Sequence, residues 1–526
     1  MLDQHKNASA NTDTDAVMEL RSETWQRLSP AAVLYYIVKF VTGIIKNGLQ
    51  AVLPLTAVVA TSGDNRWFIL MTILAVGGAT MIVGALLSYL NFKFRVEGNS
   101  FLIRSGVLKR KRLTLSFDRI QNVALSEPLY FRPLGLVILT LESAGSKSEE
   151  ANLAGIPRAL ANIIRRHVLE WKSRTQYATD AESISANNDT TAEKATFQTK
   201  ELLRHPISEL ARYGLSNNNT FVLAGIAAVV FSQFDKFWGT ALVEDWFDVI
   251  GGVIGTGVLS IVALILFAAV IILLLLVGAS VAGAIIANYN YHLTYGDQKY
   301  HRTRGLFNRE ETSVPEKKIQ SLRISQPIVA RFLGRFHLTL QQIGFASKDG
   351  SNKKNNFIIP SVRQDFYRAL TERLFQNTSL LDVPLNSISR RFVSRHTLFS
   401  VGIISVAISL TLAMPLGLAA LIPLVAPVIS LPVLLLRRHR YGYAMDNTHG
   451  VVRSGFLGHS LTVFPFIKVQ SMEIIQSPGQ RKHDLADLKI TLAGRTLTIP
   501  YITLKHALEW QKAALLEVET NDAPWM

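Results

Sequence analysis

Long uncharged stretches alternate with segments rich in lysine and arginine along this chain of 526 residues. The clearest of them, Trp67–Leu90, contains no charged residue. A helix rises about 1.5 Å per residue, so about 20 apolar residues cross the hydrocarbon layer of a bilayer. The pattern therefore predicts membrane-spanning helices joined by water-exposed segments, and it disfavours one large soluble core.

Six spans in three hairpins are expected from these stretches. They cover Leu34–Ala60 and Trp67–Leu90, then Thr220–Phe234 and Gly251–Ala287, then Leu398–Met414 and Leu416–Leu436. Lys46 lies inside the first span. Either it extends to the interface, or the span starts later in the sequence, or it is a buried cation that faces neighbouring helices. Four prolines predict kinks or a turn of the third hairpin within or near the bilayer: Pro415, Pro423, Pro427 and Pro432.

The distribution of charged residues predicts the side of the membrane on which each segment lies. The connector 235–248 between the third and fourth spans carries four acidic residues and one lysine. Arginines flank the third hairpin on the opposite side, at Arg390, Arg391, Arg395, Arg437, Arg438 and Arg440. Because cytoplasmic loops carry the excess of lysine and arginine, both termini and all large hydrophilic segments are predicted to be cytoplasmic.

The segments that follow the three hairpins are copies of one another. A glycine is followed 15 residues later by a glutamine, and a second glycine comes 24 residues after that glutamine. The matched positions are Gly106, Gly305 and Gly455, then Gln121, Gln320 and Gln470, then Gly145, Gly344 and Gly494. An Ile-Pro pair closes each copy, at Pro157, Pro360 and Pro500. The chain is therefore one unit of hairpin plus module that is used three times.

Within each module, apolar and polar residues alternate as they do in strands, for example FLIR at 101–104, and an amphipathic helix follows. The predicted fold class is membrane α-helical hairpins plus α+β, each hairpin being followed by a small β-barrel or sheet of about seven strands with a C-terminal helix. The expected boundaries are a cytosolic tail (1–30), hairpins (31–90, 201–288, 397–437), modules (91–175, 289–377, 438–519) and linkers (176–200, 378–396).

Three motifs of the first module resemble the bacterial PH-like domain of the YdbS/YdbT type, which is flanked by membrane spans. They are Arg104-Ser105-Gly106, Arg119-Ile120-Gln121-Asn122 and Arg132-Pro133-Leu134-Gly135-Leu136. The third module departs from the last motif, with His483-Asp484-Leu485 in place of Leu-Gly-Leu. The resemblance implies a PH-like fold anchored in a bacterial plasma membrane. It implies no catalytic residues, and it suggests a smaller PH-like sister protein in the membrane as a partner.

Basic residues recur at matched places in the three modules and are the candidate binding residues. Arg119, Lys318 and Lys468 stand two residues before each glutamine, and Arg132, Arg331 and Arg481 stand eleven residues after it. The first module adds the run Lys109, Arg110, Lys111 and Arg112. Arginine binds phosphate through two parallel hydrogen bonds, which suits a lipid headgroup. The alternative is structural, with arginines that tie loops to backbone carbonyls and a run that is a solvated face.

Several classes of function lack the residues that they require. The chain contains no cysteine, which excludes disulfides, thiolate catalysis and cysteine-ligated metals. It also lacks P-loop, nucleophile-elbow and zinc-protease motifs, so no enzymatic activity, cofactor or metal is predicted. His483, Asp484 and Asp487 are expected to be structural or surface residues. Basic and aromatic residues are not interleaved, so nucleic acid is not an expected partner.

The favoured hypothesis is a non-catalytic membrane scaffold. Its modules would bind anionic membrane lipids, a partner membrane protein or a second copy of the chain, and the formal net charge of +16 fits an anionic partner. The alternative is a transporter or lipid-handling channel formed by the six spans. The proline-rich third hairpin would then be a broken-helix element of the pathway.

The charge asymmetry generates a test of topology. A reporter that is active only in the cytoplasm is expected to work when fused at Ala178 or Asn377 and to fail at Gly239, because Gly239 lies in the acidic connector. Reporter activity in cells expressing each fusion is the measurement. Activity at Gly239 would reverse the predicted orientation.

Overall fold

The computed structural model describes residues 24–43, 65–107, 110–143, 150–168, 200–216, 258–342, 357–375, 381, 383–456, 458–493 and 495–520. These residues form two compact units. As far as its ranges are described, the first unit takes Met1–His205, Asn219–Asp297 and His301–Ser313, and the second takes Pro206–Asn218, Gln298–Tyr300 and Val314–Met526. The division passes through the second repeated module.

Four helices in the described part of the chain are long and apolar enough to cross a membrane: Trp67–Leu90, Ala269–Asn288, Arg391–Leu412 and Leu421–Arg440. Large apolar side chains on them are exposed, as expected of lipid-facing residues; Phe68, Leu275 and Leu410 are 75%, 67% and 72% exposed. Residues 44–64, with Lys46, and the predicted span Thr220–Phe234 lie outside the described residues. Six spans in three hairpins therefore stay a prediction.

Helices are numbered in chain order. The first unit holds α1 (Ala32–Gly43), α2 (Arg66–Leu90), α3 (158–168) and α5 (Val258–Asn288). The second unit holds α4 (Ile207–Ser216), α6 (Ile328–Phe332), α7 (Gln364–Leu374), α8 (Arg391–Arg395), α9 (Ile403–Leu416), α10 (Ala426–Arg440), α11 (Pro478–Arg481) and α12 (Leu504–Thr520).

The third hairpin is interrupted where its prolines predict a break. A π-helix at His396–Gly402 leads into α9, and a 3-10 helix at Gly417–Val425 separates α9 from α10. Pro423 lies within the 3-10 helix, and Gly417 has a positive φ of 53°. Proline removes a backbone donor and clashes with the preceding turn, so regular α-helical hydrogen bonding ends at this point.

Strands of the first unit form two sheets. The first has the order β1-β2-β3-β4 and the second the order β7-β6-β5-β11-β10-β9-β8. Their bounds are β1 (Gln26–Arg27), β2 (Lys93–Glu97), β3 (Ser100–Ser105), β4 (Lys111–Ser116), β5 (Ile120–Pro128), β6 (Leu136–Ser143), β7 (Glu150–Pro157), β8 (Lys200–Arg204), β9 (His292–Gly296), β10 (Lys299–Arg304) and β11 (Asn308–Pro315). A few residues at the ends of β10 and β11 belong to the second unit.

Strands of the second unit form two further sheets, with the orders β14-β13-β12-β18-β17-β16-β15 and β19-β20-β21. Their bounds are β12 (Ile319–Gln326), β13 (Phe336–Gln342), β14 (Phe357–Val362), β15 (Asn386–Ser387), β16 (Gly442–Met445), β17 (His449–Gly455), β18 (His459–Pro465), β19 (Val469–Ile475), β20 (Leu485–Leu492) and β21 (Arg495–Thr503).

The two seven-stranded sheets are each shared by consecutive modules. Strand β5 of the first module pairs antiparallel with β11 of the second, with Glu127 opposite Arg309. Strand β12 of the second module pairs in the same way with β18 of the third, with Gln326 opposite His459. These two pairings are called the first and the second junction. The sequence predicts about seven strands per module but not this sharing, which gives the edge strands β5, β11, β12 and β18 hydrogen-bonding partners.

Each module begins before its membrane hairpin. Strands β1, β8 and β15 precede the three predicted hairpins, and they pair with β2, β9 and β16, the first strands after the hairpins. Parts of the predicted tail, second hairpin segment and second linker are therefore sheet. Strands β1 and β15 have two residues each, too few for an alternating pattern to be visible in the sequence.

A helix covers the sheets of the first and third modules, as predicted. In the first module, Phe101 and Phe117 are fully buried, and α3 adds Ile164 to the same core. In the third, Trp510 of α12 is 1% exposed and packs on Phe464 and Phe466, with ring centroids 6.3 and 5.8 Å away. Aromatic side chains of this size supply much of the apolar area that stabilises a small module.

The repeated glycines have a steric explanation. Gly106, Gly305 and Gly455 all have positive φ, at 102°, 108° and 147°. A Cβ added at Gly305 would lie 2.0 Å from the carbonyl oxygen of Asn308, and one at Gly455 would lie 2.1 Å from that of Gly458. The turns from β10 to β11 and from β17 to β18 therefore require a residue without a side chain.

Gly305→Ala is expected to destabilise the protein by about 4 kcal/mol or more, because the new methyl group overlaps a backbone atom. Gly98→Ala is the matched control: Gly98 also has a positive φ, of 53°, but an added Cβ meets nothing within 4 Å. That change should cost only about 1–2 kcal/mol. Thermal melts of the detergent-solubilised full chain compare the two variants, and equal losses of melting temperature would contradict the steric explanation.

Candidate functional site

The two predicted sets of basic residues lie at opposite ends of the same strands. Arg119, Lys318 and Lys468 end the 3-10 helices that precede β5, β12 and β19, whereas Arg132, Arg331 and Arg481 follow those strands. Strand β12 has eight residues, which span about 26 Å at about 3.3 Å per residue. One lipid headgroup therefore cannot contact both sets, and they have to be considered as separate sites.

The set before the strands does not share one environment. Arg119 is exposed, whereas Lys318 and Lys468 are partly buried. Burial lowers the pKa of both lysines, and the charge of Lys299 adds to the effect at Lys318. In the first module, Lys109 lies outside the described residues, while Arg110, Lys111 and Arg112 are exposed at the start of β4. A ligand-binding role for these residues stays a prediction.

Two members of the set after the strands, Arg132 and Arg331, are associated with residues at the ends of membrane helices. At the first junction, a cavity of about 290 Å³ is lined by Arg132 together with residues from the second module. Tyr289 and Asn290, which line it too, come directly after the span Ala269–Asn288. The remaining lining residues are Glu127, Arg158, Thr303, Arg304, Gly305, Leu306 and Arg309. The cavity is thus next to the interface between membrane and water.

Most of the arginines at the first junction are neutralised by carboxylates. Arg158 contacts Glu127 and Glu311 at 3.2 and 3.1 Å, and Arg304 contacts Glu310 at 3.0 Å. Arg309 lies 3.7 Å from Glu311. Arg132 is different: its guanidinium makes no ion pair or hydrogen bond with any described residue, which leaves it as the available cation of this cavity.

The second junction contains four basic side chains: Arg331, Arg440, Arg453 and His459. Arg440 is the last residue of the span Leu421–Arg440, and its carbonyl oxygen accepts a hydrogen bond from Nε of Arg453 at 3.0 Å. Burial lowers the pKa of His459, and the charges of Arg440, Arg453 and Arg331 lower it further. The charges that act on His459 are thus all positive.

The second junction has lost the acidic residues of the first. It also carries two buried nitrogen atoms, Nε of Arg440 and Nδ1 of His459, that have no hydrogen-bond partner among the described residues. Nε of Arg440 carries a hydrogen and is a donor, so an anion that supplies an acceptor would offset the cost of about 1–3 kcal/mol for a buried donor without a partner. In the frame of the repeat, Glu127, Glu310 and Glu311 of the first junction correspond to Gln326, Ser460 and Leu461 of the second.

The repeat does not predict three members of this cluster. Arg440, Arg453 and His459 belong to the module after the one that carries Arg331, and the corresponding positions of the second module hold Asn290, Thr303 and Arg309. A residue type that changes between copies is invisible to a search for matched positions. The basic last turn of α10 was the one available signal.

Arg481, the third member of the set, is exposed at the end of α11. It follows β19, which is an edge strand in the described sheets, so no neighbouring module completes a cluster around it. The side chains of Arg132, Arg331 and Arg481 donate no hydrogen bond to a loop carbonyl among the described residues. The structural alternative requires such a hydrogen bond. Arg335 shows what a clamp looks like, because it donates to Glu209 at 2.9 and 2.8 Å.

The acidic group near the end of the chain has a structural role. Asp487 accepts hydrogen bonds from Nε2 of Gln480 at 2.7 Å and from the backbone N–H of Tyr501 at 2.8 Å. His483 contacts Arg391. Within the part of the chain that the structure describes, no three His, Asp or Glu side chains are placed to hold a metal ion.

Comparison with known proteins identifies a family and a curated relative. The model of the family described as "Bacterial PH domain" matches three times, at residues 44–172, 249–374 and 397–517. The UPF0699 transmembrane protein YdbT of Bacillus subtilis (strain 168) is 23% identical over 512 residues, which are 95% of this chain and 97% of that protein. The three matches coincide with the three copies of the repeat.

Arg132→Gln and Arg331→Gln are each expected to change stability by less than about 1 kcal/mol, because neither guanidinium clamps a described residue. Arg335→Gln, the control, should cost about 1–3 kcal/mol because it removes both guanidinium hydrogen bonds to the partly buried Glu209, which keeps only Arg212 and Ser361. The hydrogen bond from Arg335 lowers the pKa of Glu209 to about 2, so this contribution is present at neutral pH and lost as the pH falls towards 2. Thermal melts between pH 7 and pH 3 measure both effects, and a loss at Arg331 as large as at Arg335 would support the loop-clamp alternative.

Proposed function

Because this chain belongs to the bacterial PH domain family, we propose that it is a non-catalytic transmembrane protein whose module junctions bind the phosphate groups of anionic lipids. The second junction is the main site, and Arg132 makes the first junction a weaker one. The relative's description as a transmembrane protein and the four apolar helices support the membrane setting.

The observation that carries this proposal is the charge of the second junction. Three arginines and a histidine gather there, and no acidic side chain contributes to the charges on His459. Arginine keeps its charge at every physiological pH and forms paired hydrogen bonds to phosphate oxygens. Nε of Arg440 offers a buried donor to the same ligand. A phosphate group would offset the mutual repulsion of the arginines.

The position of the junctions selects a lipid over a soluble phosphate compound. Arg440 ends one span, and Tyr289 follows another. Lipid phosphates lie directly outside the hydrocarbon core, at the depth where tyrosine rings also collect. The predicted orientation places both junctions at the cytoplasmic leaflet, whose anionic lipids attract basic residues.

Lipid binding gives the protein a scaffold role in this proposal. The junctions anchor the sheets at the membrane surface, while the outer faces of the modules remain available to a partner protein, the PH-like sister protein included. A transport pathway through the spans stays an open prediction, since Lys46 and residues of two predicted spans lie outside the described residues.

The full chain, reconstituted in nanodiscs of mixed phosphatidylglycerol and phosphatidylcholine, is expected to enrich phosphatidylglycerol around itself. Arg331→Gln should lower the apparent affinity for phosphatidylglycerol about fivefold, because a basic residue at the surface contributes about 1 kcal/mol. Lys512→Gln is the control, since Lys512 is exposed on α12 and its loss changes the net charge equally. Native mass spectrometry counts the bound lipids.

Two results would contradict the proposal. In the first, the protein retains phosphatidylcholine and phosphatidylglycerol in the ratio supplied. In the second, Arg331→Gln and Lys512→Gln reduce binding to the same small extent, which would point to net charge and not to the junction.

A further inference from the structure

We propose that copies of this protein associate head to tail, through antiparallel pairing of β19 of one copy with β4 of the next. Both strands are edge strands of their sheets in the described residues. An edge strand presents unpaired N–H and C=O groups and is a template for another strand. The occupant of each edge is therefore the complementary edge of a second copy.

The first argument is that the chain already uses this contact twice. Strand β19 occupies the place in the third module that β5 and β12 occupy in the first and second, and β4 corresponds to β11 and β18. At both junctions these strands pair antiparallel. The register is also the same, since Glu127 opposite Arg309 and Gln326 opposite His459 are matched positions of the repeat.

The second argument is the difference in burial between paired and unpaired copies. Leu322 and Ile324 of β12, which pair with β18, are 0% and 4% exposed. Their counterparts in the unpaired β19, Met472 and Ile474, are only partly buried. Ile475, the last residue of β19, is 48% exposed, although large apolar residues are depleted on the free edges of sheets. The edge of β19 thus has the composition of a strand that is covered.

The register of the two junctions specifies the register between copies. Ile475 of one copy would lie opposite Lys111 of the next, and Glu473 opposite Leu113. Glu473 and Lys111 are then diagonal neighbours on one face, within reach of an ion pair. In a single copy Glu473 contacts Lys489 at 3.0 Å, but both side chains are well exposed and such a pair contributes little. The acidic residue on one edge and the basic run on the other are complementary.

The third argument is that pairing would complete a basic cluster. Arg331 shares the second junction with Arg453 and His459, and the residues of the first module at those two positions are Arg104 and Arg110. Arg481 of one copy would therefore join Arg104 and Arg110 of the next. This argument rests on the proposed function, whereas the strand pairing itself does not.

Each copy offers one β4 and one β19, so the contact is heterologous. Repeated contacts of this kind generate a closed ring or an open row of copies. Every junction lies beside the end of a membrane span, which keeps successive copies in one membrane.

Disulfide cross-linking tests the register, and the natural chain contains no cysteine that would interfere. Lys111→Cys and Ile475→Cys are introduced into two differently tagged full-length chains and co-expressed. Residues directly opposite on paired strands have Cα atoms about 4.5–5.5 Å apart, which suits a disulfide. Mild oxidation of membranes should join the two tagged chains. Because each chain carries one cysteine, contact within a single chain cannot give this product.

The control pairs Ile475→Cys with Arg112→Cys, whose side chain points to the opposite face of β4. At least tenfold less product is expected from the control. All three positions are exposed or on an edge, so folding should be retained, and thermal melts confirm it. Equal cross-linking in both pairs, no product between the two tags, or products only between chains with the same cysteine would overturn the proposal.

Discussion

Main-chain pairing between consecutive modules is the interaction on which the rest of this structure depends. Strand β5 with β11, and β12 with β18, turn half-modules into continuous sheets. Since β9 and β16, the strands that follow the second and third hairpins, belong to these sheets, the pairing also brings the end of a membrane span beside the preceding module. Both basic sites are consequences of that placement: Arg132 lines a cavity with residues 289–290, and the charges of Arg331 and Arg440 both act on His459. The pairing uses backbone groups, so it tolerates side-chain change.

This tolerance allows the two junctions to differ in chemistry while sharing a register. At the first junction, Arg158 forms ion pairs with Glu127 and Glu311, and the pair with Glu311 connects the two modules. At the second, the acids are replaced, and positive charge accumulates at Arg440 and Arg453. The fold is the same in both places, so any difference in binding has to come from these side chains.

The sequence predicts those parts of the structure that leave a pattern among neighbouring residues. Period-two alternation identifies strands, and the repeat locates Gly305 and Gly455, whose turns exclude a side chain. Neither pattern states which edge a strand uses, so the sharing of sheets was not predictable, and β15 is too short to leave a pattern. The candidate site divides in the same way. Arg331 recurs in the repeat, whereas Arg453 becomes a partner only through the pairing of β12 with β18.

The side chains on the edge strands β4 and β19 explain why one copy of this protein would bind another. Monomeric proteins protect an edge with charged residues, bulges or a covering segment. Lys111 and Arg112 protect β4 in that sense, because they repel other basic edges. They do not repel β19, where the one charged residue is Glu473 and Ile475 is exposed. The side chains that prevent pairing with other edges therefore still permit pairing with β19. Because diffusion in a membrane is confined to two dimensions, two copies encounter each other more often.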